Sequence, residues 1–80
     1  MTSVPKKVHV IDARKMVPPE PFERVLEALS TLGEGEKVML VLHREPLPLY
    51  RFLQDNDYRY QVTIRFDGSH EVLIWEPAAL

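Results

Sequence analysis

The chain contains no cysteine, which excludes disulfide bonds, thiolate metal sites and any reaction that needs a thiol nucleophile. It has no long apolar run either, because the longest one, residues 38–42, is far too short to cross a bilayer. A strong excess of one charge is also missing, since 10 basic and 12 acidic side chains give a net charge of −2. We therefore predict no membrane insertion and no charge-driven binding to nucleic acid, with the cytoplasm as the default location.

Motifs of the common enzyme and cofactor families are absent as well. There is no Gly-rich phosphate loop, no Gly-x-Ser-x-Gly turn and no zinc-type spacing of ligands. The histidines, His9, His43 and His70, are not spaced as a pair of metal ligands on one helix. We predict no metal and no cofactor, and the alternative is a weak metal site that combines His43 with Asp12 or Glu45.

The 80 residues predict one domain, 1–80, of the α+β class. Runs of β-branched and apolar residues predict four strands, and two stretches with apolar residues at helical spacing predict two helices. The expected order is βαβαββ, with strands near residues 7–12, 38–42, 58–66 and 71–75 and helices from Pro18 to about Leu32 and from Pro48 to about Asp55. Right-handed crossovers would place both helices on one face of a four-stranded mixed sheet, which gives a two-layer sandwich.

The last two strands are predicted to form a hairpin. The third strand alternates strictly between apolar and polar side chains, which indicates one buried and one exposed face. Asp67-Gly68 favours a two-residue turn. That turn would send Leu73 and Trp75 into the core and Val72 and Ile74 outward, whereas a loop of different length would exchange the two sets.

The face of the sheet without helices is predicted to be partly apolar. The second strand has apolar side chains on both of its faces, although the helices cover only one. A contiguous apolar area of this kind often marks a protein interface. We therefore predict homodimerisation, or docking to a larger partner, through Ile11, Met39, Val41, Val72 and Ile74. The alternative is a modest patch that long polar neighbours or residues 77–80 cover.

Two loops are expected to meet at one edge of this sheet. In α/β sheets, the loops that leave the carboxyl ends of parallel strands converge with the amino ends of the following helices. The two loops would form one rim, whose candidate residues are Asp12, Arg14, Pro18, Pro19, Glu20, His43 and Arg44. Its cationic side chains could bind a small anion or a carboxylate of a protein partner. The alternative is that the rim is simply solvated, with Asp12 capping a loop amide.

Two other functions are compatible with these residues. An enzyme would use His43 as acid or base together with Asp12 or Glu20. An RNA-binding surface would use the polar row of the third strand, which consists of Arg59, Gln61, Thr63 and Arg65. Because this row is predicted to have no aromatic side chain beside it for base stacking, nucleic-acid binding is not favoured.

The segments Asp12-Ala13-Arg14 and Pro19-Glu20-Pro21 resemble the signature of the TusA/SirA-like sulfur carriers. In that signature, an Asp-Ala-Arg strand end leads into Cys-Pro-x-Pro at the start of the first helix. Pro18 stands where the family has its cysteine, so the motif is degenerate here. Residues 43–49 are similar to a His-containing, Pro-rich segment of an uncharacterised branch of this superfamily, labelled as a domain of unknown function.

The resemblance covers roughly residues 8–75 and implies the TusA/SirA-like fold, which the C-terminal domain of translation initiation factor three shares. Because proline has no nucleophilic atom, persulfide transfer by the route of the family is not expected. The implied function is a non-enzymatic binding or regulatory module on a sulfur-carrier-like scaffold, which recognises a protein partner or a small anion.

Overall fold

The computed structural model describes residues 7–77, which form six elements. These are β1 (Val8–Asp12), α1 (Glu20–Ser30), β2 (Lys37–Leu42), α2 (Leu47–Asp55), β3 (Arg59–Ile64) and β4 (His70–Trp75). The strands form one sheet in the order β1-β2-β4-β3. The β1–β2 pair is parallel and the other two pairs are antiparallel. This confirms the predicted βαβαββ order and the mixed sheet.

Both helices begin at prolines. Pro19 immediately precedes α1 and Pro46 immediately precedes α2, and each helix has a further proline in its first turn. The first helix begins at Glu20 rather than at Pro18. Within residues 7–77, neither helix has the length and apolar character needed to cross a bilayer.

The core lies between the helices and one face of the sheet. Every second residue of the two central strands, β2 and β4, is buried in one cluster with side chains from both helices. The buried cluster consists of Ala13, Val25, Leu29, Val38, Leu40, Leu42, Leu49, Leu53, Val72 and Ile74. The predicted two-layer sandwich, with both helices on the same face, is therefore confirmed.

The β3–β4 turn has three residues, Phe66, Asp67 and Gly68, and not the two that were predicted. The N–H of Gly68 donates to the carbonyl of Arg65 at 3.0 Å, and the N–H of Arg65 donates to the carbonyl of Ser69 at 2.8 Å. Gly68 has a φ of 85°, which glycine adopts without steric cost. A type I turn followed by a residue in this left-handed region is the usual form of a three-residue hairpin loop.

The extra turn residue shifts the register of β4 by one position. Tyr60 therefore pairs with Ile74, and Val62 pairs with Val72. Since side chains alternate along a strand, the shift exchanges the two faces of β4. Val72 and Ile74 are fully buried in the core, so the prediction that they face outward was wrong.

The predicted interface set is thereby divided. Ile11 also lies on the helix-covered face, because it pairs with Leu40 and packs against the core. Met39 and Val41 lie on the opposite, open face, since they alternate with the core residues of β2, but Val41 is only 2% exposed and Met39 is half-buried, so the predicted apolar exposure is small there. Three of the five predicted interface residues therefore belong to the core.

The open face also has a different composition from the predicted one. Trp75 lies on it, half-buried and opposite Arg59, and the ammonium of Lys37 lies 4.8 Å from the centroid of the indole ring. The prediction that the polar row of β3 has no aromatic neighbour was therefore wrong. Val8 and Val10 of the edge strand β1 extend the same face and are exposed. Residues 78–80, which were considered as a cover for this face, lie outside the described residues.

The register can be tested with two neighbouring residues of β4. Ile74→Ala should lower the free energy of unfolding by about 2–5 kcal/mol, because it leaves a cavity in the core. Leu73→Ala is the matched control, and it should cost clearly less because Leu73 is half-buried on the open face. Urea denaturation with equal m values measures both. A larger loss for Leu73→Ala would contradict the observed pairing.

Candidate functional site

Three loops converge at the sheet edge where β1 and β2 end. Residues 13–19 connect β1 to α1, residues 43–46 connect β2 to α2, and residues 65–69 form the β3–β4 turn. The turn reaches this edge because β4 pairs with β2 so that His70 lies opposite Leu42. The first two loops were expected here, whereas the hairpin was not.

The predicted rim is two surfaces rather than one. His43 lines a shallow concavity of about 530 Å³ together with Asp12, Arg14, Lys15 and Asp67. Arg44 instead lines a separate cleft of about 310 Å³ with Pro18 and Pro19. Consecutive residues at the end of a strand point to opposite faces of the sheet, which separates His43 from Arg44. Glu20, the first residue of α1, is exposed and lines neither surface.

The charged concavity is centred on the guanidinium of Arg14. Its Nε and Nη2 donate to the two carboxylate oxygens of Asp12 at 2.9 and 2.8 Å. The backbone N–H of Arg14 also donates to Oδ1 of Asp12, at 3.2 Å. On the hairpin side, Nη1 lies 3.7 Å from Oδ2 of Asp67. Arg14 therefore connects the first loop to the hairpin.

These contacts set the ionisation of both aspartates. The hydrogen bonds from Arg14 hold the pKa of the Asp12 carboxyl well below its usual range, and the same pair raises the pKa of Arg14. The hydroxyl and N–H of Ser69 donate to Asp67 at 2.6 and 2.9 Å. These bonds lower the pKa of Asp67, and the nearby charges of Arg14 and His43 lower it further.

The chemistry of this concavity is accordingly restricted. A carboxylate with a lowered pKa is a weak proton acceptor, so Asp12 is poorly suited to act as a base. The guanidinium of Arg14 already binds one carboxylate through two bonds and lies near a second, so an added anion would have to compete with Asp12 and Asp67. Among residues 7–77, no three His, Asp or Glu side chains are grouped so that they could hold a metal ion.

The cleft on the other surface is almost entirely apolar. Five prolines from the two helix starts form its walls, and side chains of β2, α1 and α2 form its floor. Its lining residues are Pro18, Pro19, Pro21, Phe22, Leu40, Leu42, Arg44, Glu45, Pro46, Pro48 and Leu49. An edge-to-face contact with Phe52, with ring centroids 5.6 Å apart, holds the ring of Phe22 in place. The cleft therefore has the character of a pocket for an apolar side chain.

The helix starts beside this cleft offer few free amide groups. Proline has no backbone N–H, so the prolines remove donors that a helix start usually presents to an anion. The N–H of Glu20 donates to the carbonyl of Val17 at 3.0 Å, and the N–H of Leu47 donates to that of Glu45 at 3.0 Å. Anion binding at these helix starts is disfavoured for this reason.

Exposed apolar side chains also lie at this end of the sheet, although none of them lines the cleft. Val17, Leu47 and Ile64 are 70%, 62% and 66% exposed, and Phe66 is fully exposed. They come from the first loop, the start of α2, the end of β3 and the tip of the hairpin. The alternation of β3 assigned Ile64 and Phe66 to the core, because the pattern does not reveal where the covering helix ends. For Phe66, the sequence signal was Gly68, which permits the three-residue turn.

Comparison with known proteins agrees with this architecture. The model of a family described as "Uncharacterized conserved protein (DUF2249)" matches residues 10–76. The fold is similar to the crystal structure of a SirA-like protein from Desulfitobacterium hafniense, with a TM-score of 0.74 and 27% sequence identity. The match covers 84% of this chain and 93% of the other. No curated protein matches the sequence.

The pKa of Asp12 provides a test of the charged concavity. An NMR titration of its carboxyl carbon should give a pKa below the ordinary value of about 3.9. Arg14→Ala should move the pKa back towards that value, because it removes the side-chain hydrogen bonds. Arg59→Ala is the control, since Arg59 pairs with Asp57 instead. An unchanged pKa in Arg14→Ala would contradict the described pair.

The same pair fixes the sign of a pH effect on stability. Folding lowers the pKa of Asp12, so the ionised carboxylate adds to the free energy of unfolding. This stabilisation is fully present above the unfolded pKa of about 4 and is lost as the pH falls through the folded pKa. Asp12→Asn should therefore be less stable than the wild type at neutral pH, and the difference should shrink in acid. Thermal unfolding across this pH range measures it.

Proposed function

Because the chain belongs to the DUF2249 family of uncharacterised conserved proteins and has a SirA-like fold, we propose that it is a non-enzymatic binding module that docks a protein partner. The docking surface is the loop edge, defined here as the apolar cleft together with Val17, Leu47, Ile64 and Phe66. The observation that carries the proposal is that these four exposed side chains, from separate elements, lie at the same end of the sheet as the cleft, although none of them lines it.

The chemistry of the degenerate motif supports binding over sulfur transfer. Pro18, which occupies the cysteine position of the carrier signature, lines the cleft. Its ring has no atom that can attack or hold sulfur, and the chain has no cysteine elsewhere. The position therefore contributes apolar surface instead of a nucleophile.

The charge distribution favours a protein partner over a small anion. In the concavity, the strongest cation, Arg14, is held by Asp12 and lies near Asp67. In the cleft, prolines replace the amide donors, and the carboxylate of Glu45 lies in the wall beside Arg44. Lys15 and His43 also line the concavity, whereas in the cleft one cation lies beside one carboxylate, so a small anion is disfavoured more strongly in the cleft.

The free energy needed for association requires contacts from the whole loop edge and not from one side chain. Burying one large apolar side chain contributes about 1.5–3 kcal/mol, whereas association costs an estimated 4–15 kcal/mol or more in lost freedom. A single exposed residue therefore cannot sustain a complex. The four exposed side chains and the cleft together reach the range in which specific binding becomes favourable.

An enzyme that uses His43 receives less support. Its proposed partner Glu20 does not line the concavity that contains His43. Its other partner, Asp12, does line it, but the hydrogen bonds from Arg14 keep its carboxylate ionised at any pH near neutral. Such a carboxylate neither accepts nor supplies a proton readily.

The loop edge can be tested with two double variants of equal composition. Val17→Ser with Leu47→Ser removes apolar surface at the edge, and Val10→Ser with Leu26→Ser removes one valine and one leucine elsewhere on the surface. We expect the wild type and the control variant to retain the same proteins from a cell extract, and the edge variant to lose them. The readout is quantitative mass spectrometry after crosslinking.

Equal melting temperatures of the two double variants would show that both fold, because all four side chains are exposed. Equal capture by the edge variant would contradict the proposed surface. Loss of capture in the Val10→Ser and Leu26→Ser variant alone would instead move the docking surface to the open sheet face or to the outer face of α1.

A further inference from the structure

The strand β1 lies at an edge of the sheet, and its outer side has no neighbouring strand. In the order β1-β2-β4-β3, only β2 lies beside it. The carbonyl of Lys7 accepts a hydrogen bond from β2 at 3.1 Å, and the N–H of Ala13 donates one to β2 at 2.7 Å, so the odd-numbered residues face β2. The residues between them direct their backbone groups to the other side. The N–H and C=O groups of Val8, Val10 and Asp12 therefore point out of the sheet.

Within residues 7–77, no backbone group of the loops or turns bonds to these outward groups. An exposed strand edge of this kind pairs readily with another chain, and proteins usually protect it with lysine, proline or a β-bulge. The five residues of β1 contain neither lysine nor proline, and their pairing with β2 has no bulge. The charge of Asp12 is held by Arg14. Val8 and Val10, which flank the edge on the open face, are 43% and 65% exposed.

The helix side of the β1 edge is open as well. A groove of about 290 Å³ lies between β1 and α1, and its lining includes Ile11 and Ala28. At the other sheet edge, in contrast, α2 covers Tyr60 of β3. Tyr50 stacks on its ring with centroids 5.0 Å apart, and Gln54 donates to its hydroxyl at 2.8 Å. Of the two edges, β1 is therefore the one with space for an added strand.

We propose that β1 pairs with β1 of a second copy of this chain in the antiparallel sense, which joins the two sheets into one sheet of eight strands, four from each copy. A two-fold axis perpendicular to the sheet places Val10 opposite Val10 of the second copy, and Val8 opposite Asp12. Three residues with two outward groups each then form six interchain hydrogen bonds. Of the five residues predicted as an interface, only Ile11 belongs to this edge.

The pairing does not depend on one side chain or on a charge pair. Each interchain hydrogen bond replaces bonds to water, so its net contribution is small, but six form together. On the open face, the two copies of Val10 pack against each other, and on the helix side Ile11 lies opposite His9 of the second copy. Both strands are ordered before they meet, so less conformational entropy is lost than when a disordered peptide adds to the edge. A second copy is the favoured occupant for this reason.

The contact has a functional consequence that goes beyond the proposed function and does not depend on it. One strand of five residues per copy is a small interface, which suits a weak and reversible dimer. Because the two strands run antiparallel, the two loop edges lie at opposite ends of the joined sheet and stay uncovered. The dimer is therefore a bivalent module, which gains avidity for a partner that has more than one binding site.

Backbone amide exchange followed by NMR tests the pairing residue by residue. The N–H groups of Val8, Val10 and Asp12 should exchange rapidly in dilute protein and slow by roughly tenfold or more as the concentration rises into the millimolar range. Those of His9 and Ile11, which bond to β2, should exchange slowly at every concentration and serve as the internal control. Rapid exchange of the three outward groups at every concentration would overturn the inference.

A charge exchange at Val10 tests the position of the axis. Val10→Lys and Val10→Glu should each weaken self-association in sedimentation equilibrium by roughly fivefold or more, because like charges lie directly opposite each other. Both variants should fold, since Val10 is 65% exposed. A mixture of the two should associate more strongly than either alone, because opposite charges then face each other. A mixture that associates no better than its components would contradict the proposed axis.

A pair of proline variants compares the two sheet edges. Val10→Pro removes an outward N–H and leaves the bonds to β2 intact, so an edge strand tolerates it while the dimer should be lost. Ile64→Pro is the matched control, because the bond between Arg65 and Ser69 leaves the Ile64 N–H pointing out of the β3 edge. It should leave the dimer intact. Loss of the dimer in Ile64→Pro alone would place the contact at β3 and overturn the inference.

The proposed function is tested separately from this pairing. Val17 and Leu47 of the loop edge lie outside β1 and take no part in it. A strictly monomeric wild type that captures proteins through these two residues would overturn the dimer and leave the proposed function intact. A wild type that dimerises through β1, with capture independent of Val17 and Leu47, would support the dimer and contradict the proposed function.

Discussion

The hydrogen bond from the Gly68 N–H to the Arg65 carbonyl closes a three-residue turn, and both faces of β4 depend on that turn. With this turn, Val72 and Ile74 enter the core beside β2 and the helices. Without the third turn residue, Leu73 and Trp75 would occupy those positions, and the core would have to accommodate an indole. The turn also leaves Phe66 outside the core at the tip. One glycine with a positive φ thereby determines both the packing and the most exposed apolar side chain.

Proline is the second constraint, and it shapes the loop edge directly. The prolines that start α1 and α2 fix backbone angles and remove N–H groups at the place where a helix start usually attracts anions. The same residues supply the apolar walls of the cleft. The edge is consequently rigid and largely apolar, with Arg44 and Glu45 as charged residues of the cleft, whereas Arg14 and Asp12 pair with each other on the other side of β2.

The fold was largely predictable from the sequence because its signals are local. The apolar periodicity of 20–30 and the continuous apolar run at 38–42 each identify an element without reference to any other. The hairpin register was not predictable, since Asp67-Gly68 is compatible with turns of two or three residues and one residue changes every face assignment. The location of the rim was predicted, but its division into a charged concavity and an apolar cleft was not. Asp67 lies beside Arg14 because β4 pairs with β2, and that pairing is a tertiary property which local sequence patterns do not reveal.

Preorganisation links these constraints to binding. The β3–β4 turn is closed by its own hydrogen bonds and prolines fix the two helix starts, so the cleft and Phe66 are ordered before any partner arrives. A surface that is already ordered loses less conformational entropy on association, and a modest contact area can then suffice for a reversible complex. A sulfur carrier needs a thiol in addition to a surface that its partners can recognise. Under the proposed function, Pro18, which stands at the thiol position of the carrier signature that this chain resembles, contributes apolar area to the recognition surface in place of a nucleophile.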